Sequence, residues 1–390
     1  MTVERTLAEL VRFDSTSARS NVEIISYAAA RAEALGMRVR RLPYTDERGV
    51  EKVNMIALAG PTSSVNTGPA NSAEAFVELA LVGHTDTVPF DPAWTGALEL
   101  TERGGRLYGR GSCDTKGFIA SALAAIEEIE MKSLRRPLAL ILTADEEVGC
   151  LGAKHLAAAR ALKIRYSIVG EPTSLVPMRA GKGYCLAEII VKGREGHSAY
   201  PALGASAIFR AARLIKSIER IAEELQARDR QEAFEPPYTT LNVGLVRGGT
   251  AKNIIAGRCA FTLEWRPVPG QRAEYVVELV RAAIEDERTR DADFDCEVVV
   301  GRLDESMETP AGSELVRMLE EATGHAAGTI AFGTEAPQMI ELGAHAVVLG
   351  PGDIRVAHRT EEFVPLTDLH QCVRILARAI NHFCIENNAR

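Results

Sequence analysis

The 390-residue chain contains no run of about 18 apolar residues, the length that a membrane-spanning helix needs. Its first residues also lack the apolar core and the cleavage site of a secretory signal peptide. An excess of positive charge is missing as well, since the formal net charge is −8. A negative chain of this kind argues against nucleic acid as a partner. The composition therefore predicts a protein that binds neither a membrane nor a nucleic acid.

Cysteine is scarce and scattered. The sequence has seven cysteines, an odd number, and no two of them form a CxxC pair. This usage excludes a disulfide framework and is typical of reduced thiols. We therefore expect a cytoplasmic location.

The length favours two domains, because single hydrophobic cores stop growing at about 250–300 residues. Outside residues 180–300, short apolar runs alternate with helical patterns. The runs begin at Val77, Leu138, Tyr166 and Ala346, and the helical patterns cover 118–132, 152–161, 312–322 and 368–383. This alternation predicts an α/β fold with a mostly parallel sheet and helices on both faces.

Residues 180–300 show a different order of elements. Their patterns run strand, helix, strand, strand, helix, strand, which is the β-α-β-β-α-β signature of a ferredoxin-like domain. We therefore predict a discontinuous first domain, formed by residues 1–179 and 301–390, and an inserted domain formed by residues 180–300.

Acids and histidines occur in the loops of the predicted first domain. The candidates are His84, Asp114, Glu147, Glu171 and His358. Each alone has an ordinary explanation: a polar loop residue for either histidine, a helix cap for Asp114, and a solvated or helix-terminal charge for either glutamate. Because ligands bind outside the carboxyl ends of parallel strands, we expect all five at one edge of the sheet.

Such a cluster would require cations. Three carboxylates without a cation would repel one another strongly in a partly buried site. Two imidazoles and three carboxylates form a nitrogen and oxygen donor set that suits zinc, with cobalt or manganese as alternatives. Five ligands exceed the needs of one tetrahedral ion but fit two ions about 3.5–4 Å apart, if one carboxylate bridges them.

Two further acids lie beside these candidates. Asp86, two residues after His84, is either a turn residue or the acceptor of the second imidazole N–H, which would fix the orientation of a metal-bound histidine. Glu146 directly precedes Glu147 and is not needed as a ligand. An unligated glutamate at such a site can accept a proton from the attacking water and pass it to a leaving amine.

Several sequence runs together resemble one known family. They are GHTDTVPFDPAW, YGRGSCDTKG, TADEEVG, VGEPTSLVP, REGHSAYP, LNVGLVRGGTAKNIIAG, EWRPVPG, FGTEAP and LGPGDIRVAHRTEEFVP. Over roughly residues 5–385 and in the same order, they resemble the dinuclear-metal aminoacylase and carboxypeptidase family of the M20 type. Within it, they are most similar to the members that deacetylate N-acetylornithine. The resemblance implies a zinc-peptidase-like catalytic domain with an inserted dimerisation or lid domain.

The resemblance also implies a role for each candidate, with two Zn²⁺ per subunit and Co²⁺ as a possible replacement. The implied ligands are His84 and Glu171 on one ion, Glu147 and His358 on the other, and Asp114 as the bridge. Asp86 would orient His84, and Glu146 would be the general base.

Residues outside the metal loops match substrate contacts of the same family. The resemblance implies that Arg266 and Asn253 grip the substrate carboxylate and that Gly333 and Thr334 contact the substrate. His197 matches a histidine that donates to the developing oxyanion in the neighbouring subunit of a homodimer formed by the inserted domains. From the residues alone, Arg266 is compatible with an exposed strand-end charge and His197 with a surface turn.

The expected function is zinc-dependent hydrolysis of N2-acetyl-L-ornithine, a small-molecule substrate, to acetate and L-ornithine in arginine biosynthesis. Glu335 in FGTEAP favours this substrate because it can face the δ-ammonium group, although it is also compatible with an ordinary loop charge. The alternatives in the same chemistry are a succinyl-diaminopimelate desuccinylase or another N-acyl-amino-acid hydrolase. A non-catalytic metal-dependent binding protein is the alternative of a different class, and the presence of Glu146 argues against it.

Overall fold

The computed structural model describes residues 1–61 and 75–386. The chain divides into two compact units, of which the first lies within Met1–Arg179, Thr309–Gly328 and Thr334–Arg390. The second comprises Ala180–Glu308 and Thr329–Gly333. It extends past the expected end at residue 300, because the last strand of its sheet continues to Asp304.

The helices are α1 (Val3–Val11), α2 (Val22–Ala34), α3 (Lys116–Glu127), α4 (Leu151–Ala159), α5 (Ala207–Ala227), α6 (Tyr275–Arg290), α7 (Glu314–Thr323), α8 (Ala336–Glu341) and α9 (Leu366–Ile380). The strands are β1 (Arg38–Thr45), β2 (Glu51–Ala59), β3 (Ala75–His84), β4 (Thr101–Arg103), β5 (Arg106–Tyr108), β6 (Leu138–Thr143), β7 (Leu162–Val169), β8 (Met178–Gly181), β9 (Tyr184–Lys192), β10 (Gly196–His197), β11 (Thr240–Gly248), β12 (Ile254–Ile255), β13 (Arg258–Arg266), β14 (Asp295–Asp304), β15 (Met307–Glu308), β16 (Gly328–Ile330), β17 (His345–Val348) and β18 (Phe363–Pro365).

The first unit is built on a sheet with the strand order β1-β2-β6-β3-β7-β17. Strands β6, β3, β7 and β17 are parallel, whereas β2 runs antiparallel to β6 and β1 runs antiparallel to β2. In this register His84 lies opposite Thr143, and Val169 lies opposite both Val82 and Val348. The carboxyl ends of the parallel strands therefore reach the same edge of the sheet.

Helices cover both faces of this sheet. Leu79 and Leu81 of β3 pack in one core with α1, α2, α3 and α9. Ala80 and Val82 point to the opposite face, because successive side chains of a strand alternate, and both are fully buried. Helices α4 and α8 pack against each other and contact β2 and β7. The predicted α/β fold with a mostly parallel sheet is confirmed.

The second unit has an antiparallel sheet with the order β11-β13-β9-β14. Along the chain its main elements follow the order β9, α5, β11, β13, α6 and β14. Apolar residues of both helices pack with those of the strands in one core, which includes the fully buried Trp265. The indole Nε1 of Trp265 donates a hydrogen bond to the carbonyl oxygen of Ala273 at 2.8 Å. The β-α-β-β-α-β insertion predicted from the sequence is present.

All seven cysteines are buried, and none is joined in a disulfide within the described residues. Within residues 1–61 and 75–386, no helix has the length and apolar character to cross a bilayer.

Candidate metal centre

The candidate ligands lie at the edge of the first unit where the parallel strands end. His84 is the last residue of β3, and Glu147 follows the end of β6 at Thr143. Glu171 follows the end of β7 at Val169. These strands end here because each buried apolar run gives way to glycine and charged residues, which leaves the polar side chains beyond the hydrophobic core.

Asp114 enters the same edge from the loop before α3, as its glycine-rich surroundings predict. The helix begins at Lys116, and Thr115 is its N-cap residue. Gly111 adopts a φ of +78°, a conformation that a residue with a Cβ atom rarely takes, so the tight turn before Asp114 depends on it.

Asp114 contacts both candidate histidines. Its Oδ1 lies 3.1 Å from His84 Nε2, and its Oδ2 lies 3.2 Å from His358 Nε2. Burial alone would raise the pKa of Asp114, but the two imidazoles hold it well below its usual range. A carboxylate with one oxygen on each histidine has the arrangement that a bridging ligand requires.

The remaining ligands complete two groups around this carboxylate. His358 Nε2 lies 3.1 Å from a carboxylate oxygen of Glu147, and His84 Nε2 lies 3.9 Å from Glu171 Oε1. Nitrogen and oxygen atoms of His84, Asp114 and Glu147 all lie within 4.8 Å of one another. The structure therefore brings all five predicted ligands together.

Asp86 lies beside His84, with its backbone carbonyl closer to the imidazole than its carboxylate. His84 Nδ1 lies 3.0 Å from the backbone carbonyl of Asp86 and 3.6 Å from its carboxylate. The carboxylate also accepts hydrogen bonds from the backbone N–H groups of Glu146 and Glu147, at 3.0 and 3.2 Å, and from the hydroxyl of Ser17 at 2.8 Å. Asp86 thus joins the loop after β3 to the loop after β6.

Glu146 is nearly enclosed, with 9% of its surface exposed. Burial raises the pKa of Glu146 to about 8, and the neighbouring carboxylates of Glu147 and Glu335 add to the rise against the influence of His84. Its carboxylate also comes within 4.8 Å of ligand atoms of His84 and Glu171. The acid predicted as the base therefore lies within reach of the same centre.

The donor set fits divalent metal ions. Four carboxylates, those of Asp114, Glu146, Glu147 and Glu171, lie at this edge beside only two imidazoles. Ionising all four would cost free energy, and burial accordingly raises the pKa values of Glu171 and Glu147 above the ordinary range. A divalent cation would remove this cost, since nitrogen and carboxylate oxygen are the atoms that zinc-type ions bind.

Thr334 and Glu335 lie in the first unit, at the start of α8. Glu335 is 1% exposed, and neither of its carboxylate oxygens has a well-formed hydrogen bond to another described residue. Burial raises the pKa of Glu335 to about 7, against the opposing influence of His84 and the Thr143 hydroxyl. Thr334 is also buried, and its hydroxyl accepts a hydrogen bond from the Ala336 N–H at 3.2 Å.

The other predicted substrate residues, His197, Asn253, Arg266 and Gly333, belong to the second unit. His197 in β10 pairs with Ile254 in β12, and the Ser198 N–H donates to the carbonyl oxygen of Asn253 at 3.1 Å. His197 is exposed, and its Nδ1 accepts a hydrogen bond from the Ala199 N–H at 3.1 Å.

Arg266 and Gly333 also belong to the second unit. Its Nη1 donates to the carbonyl oxygen of Ala331 at 2.7 Å, and its Nε donates to Glu264 at 2.8 Å. Its guanidinium also stacks on the ring of Tyr184, 4.4 Å from the centroid. Arg266 is thus held by its own unit and is not a free strand-end charge.

The sequence analysis did not identify the side chains that hold the loops of the candidate metal ligands in place. They are Ser17, which donates to Asp86, Lys52, which pairs with Asp145, and Glu362, which accepts from the backbone N–H of Asp114. Only Glu362 carried a signal, since it lies in the same run as His358.

Comparisons with known proteins agree with this geometry. Residues 80–382 match the profile of peptidase family M20/M25/M40. An acetylornithine deacetylase of Myxococcus xanthus is 54% identical over 380 residues, which cover 97% of this chain and 97% of that protein. An acetylornithine deacetylase of Proteus mirabilis is 34% identical, covering 97% of this chain and 94% of its own.

Solved structures share the fold over nearly the whole chain. A tripeptidase of Staphylococcus aureus has a TM-score of 0.76 at 22% identity, covering 98% of this chain and 97% of its own. An M20 family metallo-carboxypeptidase of Sulfolobus solfataricus has a TM-score of 0.72 at 20% identity, covering 97% and 98%. The profile match over most of the chain and the two near-full-length relatives confirm the resemblance of its sequence runs, and the chain belongs to peptidase family M20/M25/M40.

Proposed function

We propose that this protein hydrolyses the amide bond of N2-acetyl-L-ornithine to acetate and L-ornithine, a step of arginine biosynthesis. The 54% identity with the Myxococcus xanthus acetylornithine deacetylase over 97% of both chains supports this substrate. The meeting of five ligand-type side chains with Glu146 at one sheet edge supports the hydrolytic chemistry.

The centre would hold two zinc ions, with His84 and Glu171 on one, Glu147 and His358 on the other, and Asp114 between them. The two contacts of Asp114, one oxygen on each histidine, support this division. When bound, the ions supply positive charge that polarises the amide carbonyl and stabilises the tetrahedral oxyanion.

Glu146 would be the general base and then the general acid. Its carboxylate takes a proton from the attacking water and returns it to the leaving nitrogen of ornithine. Asp86 supports this role because it accepts the Glu146 N–H and so fixes the backbone from which the base projects. The contact of its carbonyl oxygen with His84 Nδ1 also fixes the orientation of that imidazole.

Glu335 would recognise the δ-ammonium group of the substrate. A buried carboxylate without a well-formed hydrogen bond is costly, and a substrate cation would offset that cost. A desuccinylase would instead have to place a second substrate carboxylate in its acyl pocket. Repulsion by Glu335 disfavours an anionic group near this position.

Arg266 and Asn253 would bind the substrate carboxylate, with Gly333 and Thr334 as further substrate contacts. The guanidinium of Arg266 is oriented by Glu264, Ala331 and the ring of Tyr184. These contacts use Nε and Nη1, so Nη2 is the atom that they leave for a substrate oxygen.

His197 would donate a hydrogen bond to the oxyanion, from the neighbouring subunit of a homodimer. The Ala199 N–H donates to its Nδ1, so in the neutral imidazole the proton resides on Nε2, which can then donate. Apolar side chains exposed on the second unit support a dimer through this unit. They are Tyr200, Leu203, Ile208, Phe209, Leu245 and Val246. The last two belong to β11, an edge strand of its sheet, and exposed apolar edges favour association.

The activity is tested by incubating the purified protein with N2-acetyl-L-ornithine and measuring acetate and ornithine. We expect release of both, loss of activity with a strong chelator, and recovery with Zn²⁺ or Co²⁺ but not Mg²⁺. N-succinyl-diaminopimelate serves as the competing substrate. Faster hydrolysis of that compound, or metal binding without any hydrolysis, would contradict the proposal.

A further inference from the structure

Glu362, the residue before β18, is a buried carboxylate outside the candidate ligand set. It is 1% exposed. Its Oε1 accepts hydrogen bonds from the backbone N–H groups of Cys113 and Asp114, at 2.9 and 3.0 Å. Its Oε2 accepts from the Gly111 N–H at 3.0 Å and from Nη1 of the buried Arg110 at 2.6 Å. Each oxygen therefore serves two donors.

These hydrogen bonds join two loops that carry candidate metal ligands. Glu362 lies four residues after His358, and the N–H of Asp114 is one of its donors. Strand β5 precedes the loop of Asp114, and β18 follows the loop of His358. The two strands pair in antiparallel orientation, so the ends of the two loops are held side by side. Because His358 Nε2 lies only 3.2 Å from Asp114 Oδ2, a shift of either loop changes the distance between the two ligand side chains.

A carboxylate suits this position better than an amide does. It is an acceptor at both oxygens, with about four lone-pair positions, which matches the four donors here. An amide in either orientation would direct an NH₂ group at two donors. The charge of Arg110 also pairs with that of Glu362, so both buried charges are compensated.

We propose that Glu362 is a positioning residue of the metal centre, which holds Asp114 at the distance from His358 at which both bind the metal ions. This role rests on the proposed function, in which both residues are ligands. Loss of a group that holds a metal ligand typically weakens metal binding about 10–100-fold. A role in folding alone would lower stability without changing the affinity of the folded protein for metal.

The test compares Glu362→Gln with Glu361→Gln, the same substitution one residue earlier. Glu361 is a suitable control because its side chain is 59% exposed and pairs with the exposed Arg103 at 3.0 Å. Metal-free protein is titrated with Co²⁺, and binding is followed by calorimetry and by the visible absorption of the bound ion. Circular dichroism establishes that each variant is folded.

We expect Glu362→Gln to bind Co²⁺ about 10–100-fold more weakly, with a changed absorption spectrum, and Glu361→Gln to match the wild type. A folded Glu362→Gln protein with wild-type affinity and spectrum would overturn the positioning role. If this variant does not fold, Glu362→Asp is titrated, since its shorter side chain keeps the carboxylate but cannot reach all four donors. A weakened Co²⁺ affinity then supports the proposal, and an unchanged affinity overturns it.

The wild-type titration separates this inference from the proposed function. If neither the wild type nor Glu361→Gln binds Co²⁺, the proposed metal centre is wrong and the positioning role is wrong with it. If both bind two equivalents and Glu362→Gln binds them equally well, only the positioning role is wrong.

Discussion

Two adjacent acids of the loop after β6 have different surroundings. Glu147 contacts His358 at 3.1 Å, whereas the Oε1 of Glu146 accepts a hydrogen bond from the Cys150 thiol at 3.4 Å. Both backbone N–H groups bond to Asp86. Sequence proximity alone therefore does not give the two residues the same chemical role.

We expect Glu146→Gln to retain both metal ions and to lose about 10²–10⁴-fold in kcat, the range for loss of a general base. Its matched control is Glu147→Gln, which should lose metal content because it removes a ligand of one ion. Metal analysis and turnover are measured on the same samples. The assignment would be wrong if Glu146→Gln lost metal but each remaining pair of bound ions supported normal turnover. Glu146 would then be a ligand and not the base.

Glu335 provides a prediction about pH and substrate charge. Only its ionised form can pair with the δ-ammonium group, and its pKa is raised from 4.5 to about 7, chiefly by burial. The preference for N2-acetyl-L-ornithine over N-acetyl-L-norleucine, an analogue with an uncharged side chain, should therefore increase as the pH rises through about 7. Bound divalent ions would move this transition to lower pH without changing its direction.

The ratio of kcat/KM for the two substrates cancels the titration of groups that act on both, such as His84 and Glu146. At high pH, Glu335→Gln should reduce this ratio about tenfold to a hundredfold, since a hydrogen bond to a charged group contributes about 1.5–3 kcal/mol. In this variant the ratio should not change with pH. A wild-type preference that is constant with pH, and is retained in the variant, would exclude Glu335 from substrate recognition.

At the scale of elements, a buried ion pair connects β2 to the loop after β6. Lys52 Nζ lies 2.5 Å from Asp145 Oδ1 and donates to the Ser17 carbonyl oxygen at 2.7 Å. Both members of the pair are at most 1% exposed. Tyr44 of β1 donates to the other oxygen of Asp145 at 3.0 Å. The residue directly before Glu146 is thus held by two neighbouring strands.

Lys52→Met should destabilise the first unit by about 3–5 kcal/mol, because it leaves the buried charge of Asp145 without its cation. The free energy is measured by urea unfolding, with amide hydrogen exchange of β2 and β6 reporting on this unit. Lys163→Met, an exposed substitution in β7, is the control and should change stability by no more than about 0.5 kcal/mol. A loss as small as that of the control would mean that Asp145 is not charged in the folded protein.

At the scale of the whole molecule, we propose above a homodimer in which His197 acts on the partner's metal centre. This arrangement predicts that two inactive variants restore activity when they are combined in one dimer. Glu146→Ala and His197→Ala chains, each inactive alone, are coexpressed with different tags and their mixed dimer is purified. One site of that dimer then carries both defects and the other carries neither, so activity should return.

If His197 acts within its own chain, every site of the mixed dimer carries one defect and no activity returns. A mixture of Glu146→Ala with Glu171→Ala is the control. Both defects affect the centre of the first unit, so the mixed dimer has no intact site in either arrangement. Purification of a monomer alone would contradict the homodimer itself.

The main strands and helices, and the loops that carry the candidate metal ligands, could be predicted from the sequence. Buried apolar runs are local features, and the parallel order of β3, β6 and β7 places their carboxyl ends together, so His84, Glu147 and Glu171 had to converge. The glycine-rich turn and the helical pattern that follows it likewise predicted Asp114 at the start of α3. For these features, spacing along the chain carries the information.

The contacts that hold these loops were decided only by the tertiary structure. The carboxylate of Asp86 bonds to the backbone of Glu146, and Glu362 bonds to the backbone of Asp114, 248 residues away along the chain. Lys52 meets Asp145 across 93 residues. No local pattern encodes which buried donor an acceptor will find, because that choice depends on how the packed loops approach one another and on the cost of leaving any buried polar group unpaired.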